Sequence, residues 1–156
     1  MNTPIDWHAL ASKLSFPSRA FVDGAFVPAQ SGKTFDCMSP IDGKLLTQVA
    51  ACDTQDIDAA VRAARAAFEK GVWADQPPRS RKRVLLAFAD LIAKHSDELA
   101  LLESLDMGKP IAAARNADMR AVADCVRWYG EAIDKIYDEI APAPKTALAL
   151  ITREPL

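Results

Sequence analysis

The sequence contains little glycine and no long apolar run. Its six glycines, at positions 24, 32, 43, 71, 108 and 130, form neither Gly-x-Gly-x-x-Gly nor a P-loop, the spacings with which a backbone cradles phosphates. The apolar runs are only a few residues long, whereas a helix needs about 20 apolar residues to span a bilayer. The sequence therefore shows no nucleotide-binding fingerprint and no membrane-spanning segment.

Cysteine and histidine are also scarce. The three cysteines, Cys37, Cys52 and Cys125, form no Cys-x-x-Cys pair, which argues against a zinc site or a redox motif. Neither His8 nor His95 shares a local motif with a cysteine, so the sequence shows no local pair of thiol and base. We expect the cysteines to act as small apolar groups with structural roles.

Charge of either sign is modest. The formal net charge is −2 and half of the residues are hydrophobic, which is typical of a globular domain and gives no electrostatic reason to expect nucleic acid or an anionic membrane as a partner. The first residues, MNTPIDWHAL, lack the basic start and apolar core of a secretory signal. We therefore expect a cytoplasmic location with reduced thiols.

Three short apolar stretches within residues 19–51 predict β-strands. Turn signals separate them at Asp23-Gly24, Ser31-Gly32 and Asp42-Gly43, and alternating strands and turns are typical of an antiparallel meander. Residues 1–18 carry a weaker pattern. We interpret them as a flexible lead-in with a short helix around Trp7–Leu14.

Helical periodicity begins at residue 53 and predicts four helices. The first is capped by Asp53 or Thr54 and ends at Lys70-Gly71. Its predicted buried face is Ile57, Val61, Ala64 and Phe68. The second follows Pro77-Pro78, and its predicted buried stripe is Val84, Leu85, Phe88, Leu91 and Ile92.

The third and fourth helices carry the remaining pattern. The third is capped by Ser96 and closed by Gly108. The fourth starts at Pro110 and is predicted to continue through Ile140. Its stripe is Met119, Val122, Val126, Tyr129, Ile133, Ile136 and Ile140. The prolines of Ala141–Pro144 end it.

The last segment, TALALITREPL, predicts a strand that is apolar on both faces. Leu148 and Leu150 lie on one face, and Ala147, Ala149 and Ile151 lie on the other. Such a strand needs neighbours on both faces. One interpretation is that the chain is a non-catalytic module that pairs with a partner by strand addition through Thr146–Arg153.

Two acids near the end of the third helix raise a chemical question. Glu103 and Asp106 are three residues apart and therefore share one helix face. They could form an acid–base dyad, they could contribute to a cation site together with carbonyl oxygens, or they could form a solvated acidic edge. The local sequence leaves these three alternatives open, although Asp106 is disfavoured at the negative end of a helix dipole.

Five motifs in order resemble the aldehyde dehydrogenase superfamily. They are FVDGAFVPAQSGKTFDCMSPIDGKLLTQVA, with Ser39-Pro40 at the family's asparagine-proline step, DIDAAVRAARAAFEKGVW, RSRKRVLLAFADLI, LESLDMGKP and REPL. The similarity runs from about Phe21 to Leu156. It implies an α/β fold fragment: an N-terminal meander and four helices, then a strand of the oligomerisation ribbon, without the cofactor sheet and the catalytic domain.

This resemblance implies a domain assignment and an activity. Residues 19–140 would be the N-terminal part of the cofactor-binding domain, and residues 141–156 would begin the oligomerisation ribbon and lead to the cofactor fold. The family oxidises aldehydes to carboxylic acids with NAD or NADP. Within it the chain is most similar to the branch that acts on aminoaldehydes from polyamine breakdown, such as γ-glutamyl-aminobutyraldehyde. The resemblance also implies a homodimer or homotetramer when the protein is full length.

The family's catalytic and cofactor-binding residues all follow the matched region. None of Cys37, Cys52 and Cys125 matches the motif of the catalytic cysteine, so no catalytic or cofactor-binding residue is carried over. We therefore expect these 156 residues alone to be inactive.

Two sites can be carried over from the resemblance. Many members hold a monovalent cation, K⁺ or Na⁺, with the carboxylate that matches Asp106, with backbone carbonyls that match Cys37 and Met38, and with another ligand that follows the matched region. The family's long helix lines the aldehyde entrance, at positions that match Ala117 and Ala121. Their small side chains imply a wide entrance.

Overall fold

The computed structural model describes residues 5–154. Its helical elements are Trp7–Ala11 (α1), Thr54–Glu69 (α2), Pro78–Lys94 (α3), Ser96–Met107 (α4), Ile111–Ala113 (α5), the π-helical turn Ala114–Asp118 and Met119–Ala132 (α6). Its strands are Ala20–Val22 (β1), Ala25–Val27 (β2), Thr34–Met38 (β3), Leu45–Ala50 (β4), Glu139–Ala141 (β5) and Ala149–Ile151 (β6). Within this part of the chain, no helix is both long enough and apolar enough to cross a membrane.

The described strands pair as separate antiparallel hairpins, β1 with β2, β3 with β4 and β5 with β6. The predicted single meander is therefore wrong. In the first hairpin, Asp23 and Gly24 both have positive φ angles, 51° and 78°, as the tightest hairpin turns require. Pro28 follows β2 directly and has no N–H to extend a ladder towards β3. The two N-terminal hairpins are linked instead by a hydrogen bond of 2.9 Å from the Ala50 N–H to the Ser18 carbonyl.

Helix α2 begins where its caps predict. Asp53 accepts a hydrogen bond from the Gln55 N–H at 3.0 Å, and Asp56 closes the capping box by accepting one from the Asp53 N–H at 3.0 Å. The buried Asp56 carboxylate also accepts one from the Gln30 N–H at 2.9 Å. One carboxylate therefore fixes both the helix start and the loop after β2.

The predicted buried face of α2 is wrong. Ile57, Val61 and Phe68 are all exposed, and so is Ala64. The helix meets the first hairpin through small residues such as Ala60 and Ala63. The larger apolar side chains point to a side that no described segment covers.

Helices α3 and α6 pack closely against each other. A Cβ on Gly130 of α6 would lie 3.1 Å from Cβ of Leu85, so glycine permits the close approach. Ala89 and Ile92 of α3 are buried. The predicted stripe of α3 is correct for Ile92, but it is wrong at three positions that are exposed: Val84, Phe88 and Leu91.

A small core joins α4 to the helix that follows it. Ala100, Ala114 and Met119 form this core, with Leu99 and Ile111 packed at its edge. The N-cap position of α4 belongs to His95 rather than to Ser96. Its predicted end is confirmed, because Gly108 has a φ of 72° and its N–H donates to the Ser104 carbonyl at 2.9 Å.

The predicted fourth helix is shorter than its stripe. It contains a π-helical turn and ends at Ala132, where the Lys135 ammonium donates to the free carbonyl of Glu131 at 2.8 Å. Ile140 instead pairs with Leu150 in the third hairpin. The spacing of three and four residues between Ile133, Ile136 and Ile140 therefore does not reflect a continuous helix.

The terminal predictions are met in part. The short helix predicted around Trp7–Leu14 is present as α1, capped by Asp6, which accepts a hydrogen bond from the Ala9 N–H at 3.0 Å. The final strand is limited to Ala149–Ile151, and Arg153 lies outside it. Residues 1–4 of the predicted lead-in and residues 155–156 of the predicted connection lie outside the described residues.

Candidate functional site

Asp106 and Cys37 meet at the surface of the molecule. The Cys37 thiol on β3 donates to Oδ1 of Asp106 near the end of α4 across 3.2 Å. Both line a cleft of about 450 Å³. The residues lining it are Phe16, Pro17, Cys37, Thr47, Val49, Leu102, Glu103, Asp106 and Met107. The fold thus brings together two residues that the resemblance had placed at one cation site.

The carboxylate changes the chemistry of this thiol. Its hydrogen bond with Asp106 raises the pKa of Cys37, and the negative charge of Asp106 adds to the effect. A nucleophilic cysteine needs the opposite, a lowered pKa that favours thiolate. Cys37 is therefore not an activated nucleophile. The other two cysteines, Cys52 and Cys125, are exposed free thiols.

The main chain beside Cys37 is irregular. The pairing of β3 with β4 changes register between Cys37 and Met38, because Met38 pairs with Leu45 and passes over Leu46. Such a bulge interrupts the hydrogen-bonded ladder. Residues 5–154 contain no group of three or more His, Cys, Asp or Glu side chains that could hold a metal ion.

Glu103 is not part of a solvated edge. Its carboxylate is 3.4 Å from Nζ of Lys109, and the same ammonium contacts the Asp118 carboxylate. These contacts, led by the one with Asp118, raise the pKa of Lys109. The side chains are roughly one-quarter to one-third exposed, at 23% for Glu103, 30% for Asp118 and 36% for Lys109.

The sequence did not reveal the role of Lys109. Asp118 follows it by nine residues, a separation that matches no simple helical or strand spacing. The contact between Lys109 and Asp118 can be recognised only after the turn at Gly108 and the π-helical turn are known.

Ala117 and Ala121 lie on neighbouring turns of one helical segment. Ala117 is in the π-helical turn, Ala121 is in the first turn of α6, and both are exposed. A cleft of about 330 Å³ lies between this helical segment and the α3–α4 junction. Its charged lining is partly neutralised, because Arg115 pairs with Asp97 at 2.5 Å and Arg127 with Asp90 at 2.6 Å. Neither alanine lines this cleft.

Comparison with known proteins assigns the family. The model of the aldehyde dehydrogenase family matches residues 26–156, and the chain belongs to that family. It is 47% identical over 151 residues to an aminoacetaldehyde dehydrogenase from Pseudomonas aeruginosa, a match that covers 97% of this chain and 30% of the relative.

Solved structures agree with this assignment. A γ-glutamyl-γ-aminobutyraldehyde dehydrogenase from Burkholderia cenocepacia is 53% identical with a TM-score of 0.94, covering 96% of this chain and 30% of the other. An indole-3-acetaldehyde dehydrogenase from P. syringae in complex with NAD⁺ is 49% identical with a TM-score of 0.93, covering the same shares. The mixed helix and strand fold is thus that of aldehyde dehydrogenases, and the chain spans about 30% of the length of these relatives.

Proposed function

We propose that the chain is the N-terminal part of an enzyme that oxidises an aldehyde, an aminoaldehyde in particular, to a carboxylic acid with NAD or NADP. The observation that carries this proposal is the family match over residues 26–156. Relatives named for aminoacetaldehyde and for γ-glutamyl-γ-aminobutyraldehyde support the substrate class. A relative with bound NAD⁺ supports the cofactor.

The residues of this chain do not supply the chemistry of that reaction. Aldehyde oxidation in this family needs a thiolate to attack the carbonyl and a nicotinamide to accept hydride. Cys37 is held as a thiol by Asp106, and the sequence has no glycine-rich phosphate loop. We therefore assign neither a nucleophile nor a cofactor contact to these residues. Their role is to support the rest of the enzyme.

We also propose that Asp106 binds K⁺ or Na⁺ together with the main-chain carbonyls of Cys37 and Met38. Support comes from the contact between Asp106 and Cys37 and from the bulge at Cys37/Met38. A carboxylate with carbonyl oxygens is a donor set that suits hard cations. A bound cation would also offset the unfavourable position of Asp106 at the negative end of α4.

Ala117 and Ala121 are proposed to border the aldehyde entrance. Both are small and exposed on one side of the helical segment. They leave room for bulky aldehydes, whereas a large side chain at Ala121 would narrow the path. Three free thiols also suit the proposed cytoplasmic location.

The third hairpin is the proposed oligomer contact. Leu148, Leu150 and Ile151 are exposed by 71%, 59% and 52%, and β6 pairs within the described residues with β5 alone. The same surface would serve the alternative function, a non-catalytic module that adds a partner strand to β6. The two functions differ in whether the chain belongs to a working enzyme.

The test is to assay the chain alone and as a fusion. In the fusion, residues 1–156 replace the matched region of the P. aeruginosa aminoacetaldehyde dehydrogenase. Formation of NADH from aminoaldehydes is expected for the fusion and not for the chain alone. Turnover by the chain alone would refute its inactivity. A soluble, folded fusion without turnover on any aldehyde would refute the proposed enzyme role and leave the module.

A further inference from the structure

The helical segment that carries Ala117 is irregular at a defined place. The Met119 N–H donates to the carbonyl of Ala114, five residues earlier, which is the hydrogen bond of a π-helix. In a regular α-helix, residues five apart lie about 140° apart around the axis. The wider turn lets Ala114 and Met119 both enter the small core against α4. The bulge is thus compatible with packing against α4 on one side, and Ala117 lies on it.

Three ion pairs connect this π-helical turn to α4, two of them through Lys109. Near the start of α4, Arg115 pairs with Asp97 at 2.5 Å, and the Arg115 guanidinium lies 6.0 Å from the ring centre of Trp7. Near the end of α4, Lys109 contacts Asp118 and lies 3.4 Å from Glu103. The turn is therefore held at both of its ends.

The backbone of Lys109 is itself fixed. The buried Ser104 hydroxyl donates to the Lys109 carbonyl at 2.7 Å. The preceding Gly108 has positive φ and packs so closely on Pro40 that an added Cβ would lie 3.2 Å from its ring. Lys109 thus reaches Asp118 from a rigid turn, and its ammonium sets where the end of the π-helical turn can lie.

We propose that Lys109 is a positioning residue that holds the π-helical turn, and with it Ala117 and Ala121, by joining Glu103 of α4 to Asp118. This rests on the proposed function, because it takes the two alanines to border the aldehyde entrance. Asp118 directly follows Ala117 and precedes Ala121 by three residues, so a shift of Asp118 moves both. Lys109 then acts on aldehyde selection without touching the aldehyde.

The first test is hydrogen exchange in the fusion described above. Lys109→Met keeps the aliphatic stem and removes the charge, whereas Lys109→Arg keeps the charge. We expect faster exchange at the amides of residues 114–119 in Lys109→Met, unchanged exchange in α3, and restored protection in Lys109→Arg. If Lys109→Met does not fold, Asp118→Asn should show the same faster exchange at residues 114–119. Unchanged protection in the charge-removing variant would overturn the proposal, whatever the activity of any fusion.

The second test measures aldehyde selection in the fusion described above. Lys109→Met is expected to change the ratio of kcat/KM for a bulky aldehyde over acetaldehyde by about fivefold or more, through KM and with kcat for acetaldehyde nearly constant. Lys109→Arg should restore the ratio. Equal effects on both aldehydes would indicate a merely structural role and overturn the proposal.

Ala121→Trp in the same fusion separates the two ideas. A raised KM for bulky aldehydes in Ala121→Trp, with no change of selection in Lys109→Met, would keep the entrance and reject Lys109 as its positioning residue. Unchanged kinetics in Ala121→Trp would reject the entrance itself, and with it the role of Lys109 in aldehyde selection.

Discussion

Asp106 and Cys37 are 69 positions apart in the sequence, and at the scale of single residues their contact is the most informative in the molecule. The sequence made Asp106 conspicuous because an acid at a helix C-terminus is unfavourable. The structure supplies a partner, but a thiol is a weak hydrogen-bond donor. A cation that displaced this thiol would interact with Asp106 more strongly. Whether Cys37 contacts Asp106 should therefore depend on whether a cation is bound at the proposed site.

The reactivity of Cys37 should follow the charge on Asp106. In a Cys52→Ser, Cys125→Ser background, Asp106→Asn is expected to speed alkylation of Cys37 by iodoacetamide by about three- to tenfold near pH 8, because loss of the hydrogen bond to the carboxylate, and of its negative charge, lowers the thiol pKa. K⁺ should speed the reaction in the protein with Asp106 and have no effect in Asp106→Asn. Alkylation rates measured by mass spectrometry check both statements.

Asp36→Asn is the matched control, because it removes the same charge one residue away on the opposite side of β3. Asp36 accepts from the Gln48 amide at 3.0 Å rather than from Cys37. Equal acceleration by both substitutions would contradict a specific contact. An alkylation rate of Cys37 that does not change with K⁺ would count against the proposed cation site.

At the scale of elements, the α3–α6 pair is secured by packing and by charge. Lys82 near the start of α3 is 2.7 Å from Glu131 and 2.9 Å from Asp134, which belong to the end of α6 and the turn after it. Hydrogen bonds from Lys135 and Lys82 hold the pKa of Asp134 down to about 2. The same cluster raises the pKa of Lys82.

This cluster predicts a loss of stability in acid. The folded-state pKa of Asp134 is about 2 and its ordinary value is 3.8, so its contribution is present above about pH 4 and is lost as the pH falls towards 2. Lys82→Met should remove part of this dependence. We expect a smaller drop in the urea midpoint between pH 5 and pH 2 for Lys82→Met than for the unchanged chain.

Lys94→Met provides the comparison, since it removes the same charge from the last turn of the same helix. It should leave the slope with pH unchanged. Identical pH profiles for Lys82→Met and the unchanged chain would show that the cluster does not couple α3 to α6.

Comparison of the predicted helices with the observed ones shows which features a sequence can predict. The start of α2 and the end of α4 were predicted correctly because Asp53 and Gly108 act through neighbouring backbone groups. The exposed side of α2 was predicted wrongly, since periodicity finds an apolar stripe but not the surface that covers it. The π-helical turn was not predicted, because the apolar stripe of this helix begins at Met119, directly after the turn.

The candidate site likewise has features that the sequence could predict and features that it could not. Asp106 was recognisable from a motif and from its unfavourable position. Its thiol partner, like the link from Lys109 to Asp118, depends on how distant segments are brought together, which no local spacing encodes. The placement of Cys37 beside Asp106 came from the resemblance and is supported by their contact, while cation binding itself stays a prediction.

At the scale of the whole molecule, the chain exposes several separate apolar surfaces. They are on α2 (Ile57, Val61, Phe68), on α3 (Val84, Phe88, Leu91), on α6 (Trp128, Tyr129) and on the third hairpin (Leu148, Leu150, Ile151). Apolar patches of this kind usually mark surfaces that another protein segment covers. Since the chain spans about 30% of its relatives, we propose that the remainder of an aldehyde dehydrogenase covers the helical surfaces.

The solution state of the purified chain should reflect these surfaces. We expect polydisperse soluble assemblies in size-exclusion chromatography with light scattering, because several faces can associate at once. Leu150→Lys on the hairpin and Val84→Lys on α3 should each reduce association to a similar extent. A defined dimer that Leu150→Lys alone dissociates would instead favour the strand-pairing module.

The π-helical turn has a consequence for how this chain is related to its family. If the same residues formed a regular α-helix with no residue removed, every later side chain of α6 would lie about 100° further around the axis. Gly130 would then no longer meet Leu85, and a bulkier residue would face α3 in its place. A one-residue deletion within residues 114–118 would instead remove the extra residue and restore the register, so a homologue with that gap is expected to have a regular α-helix here and to keep its contact with α3.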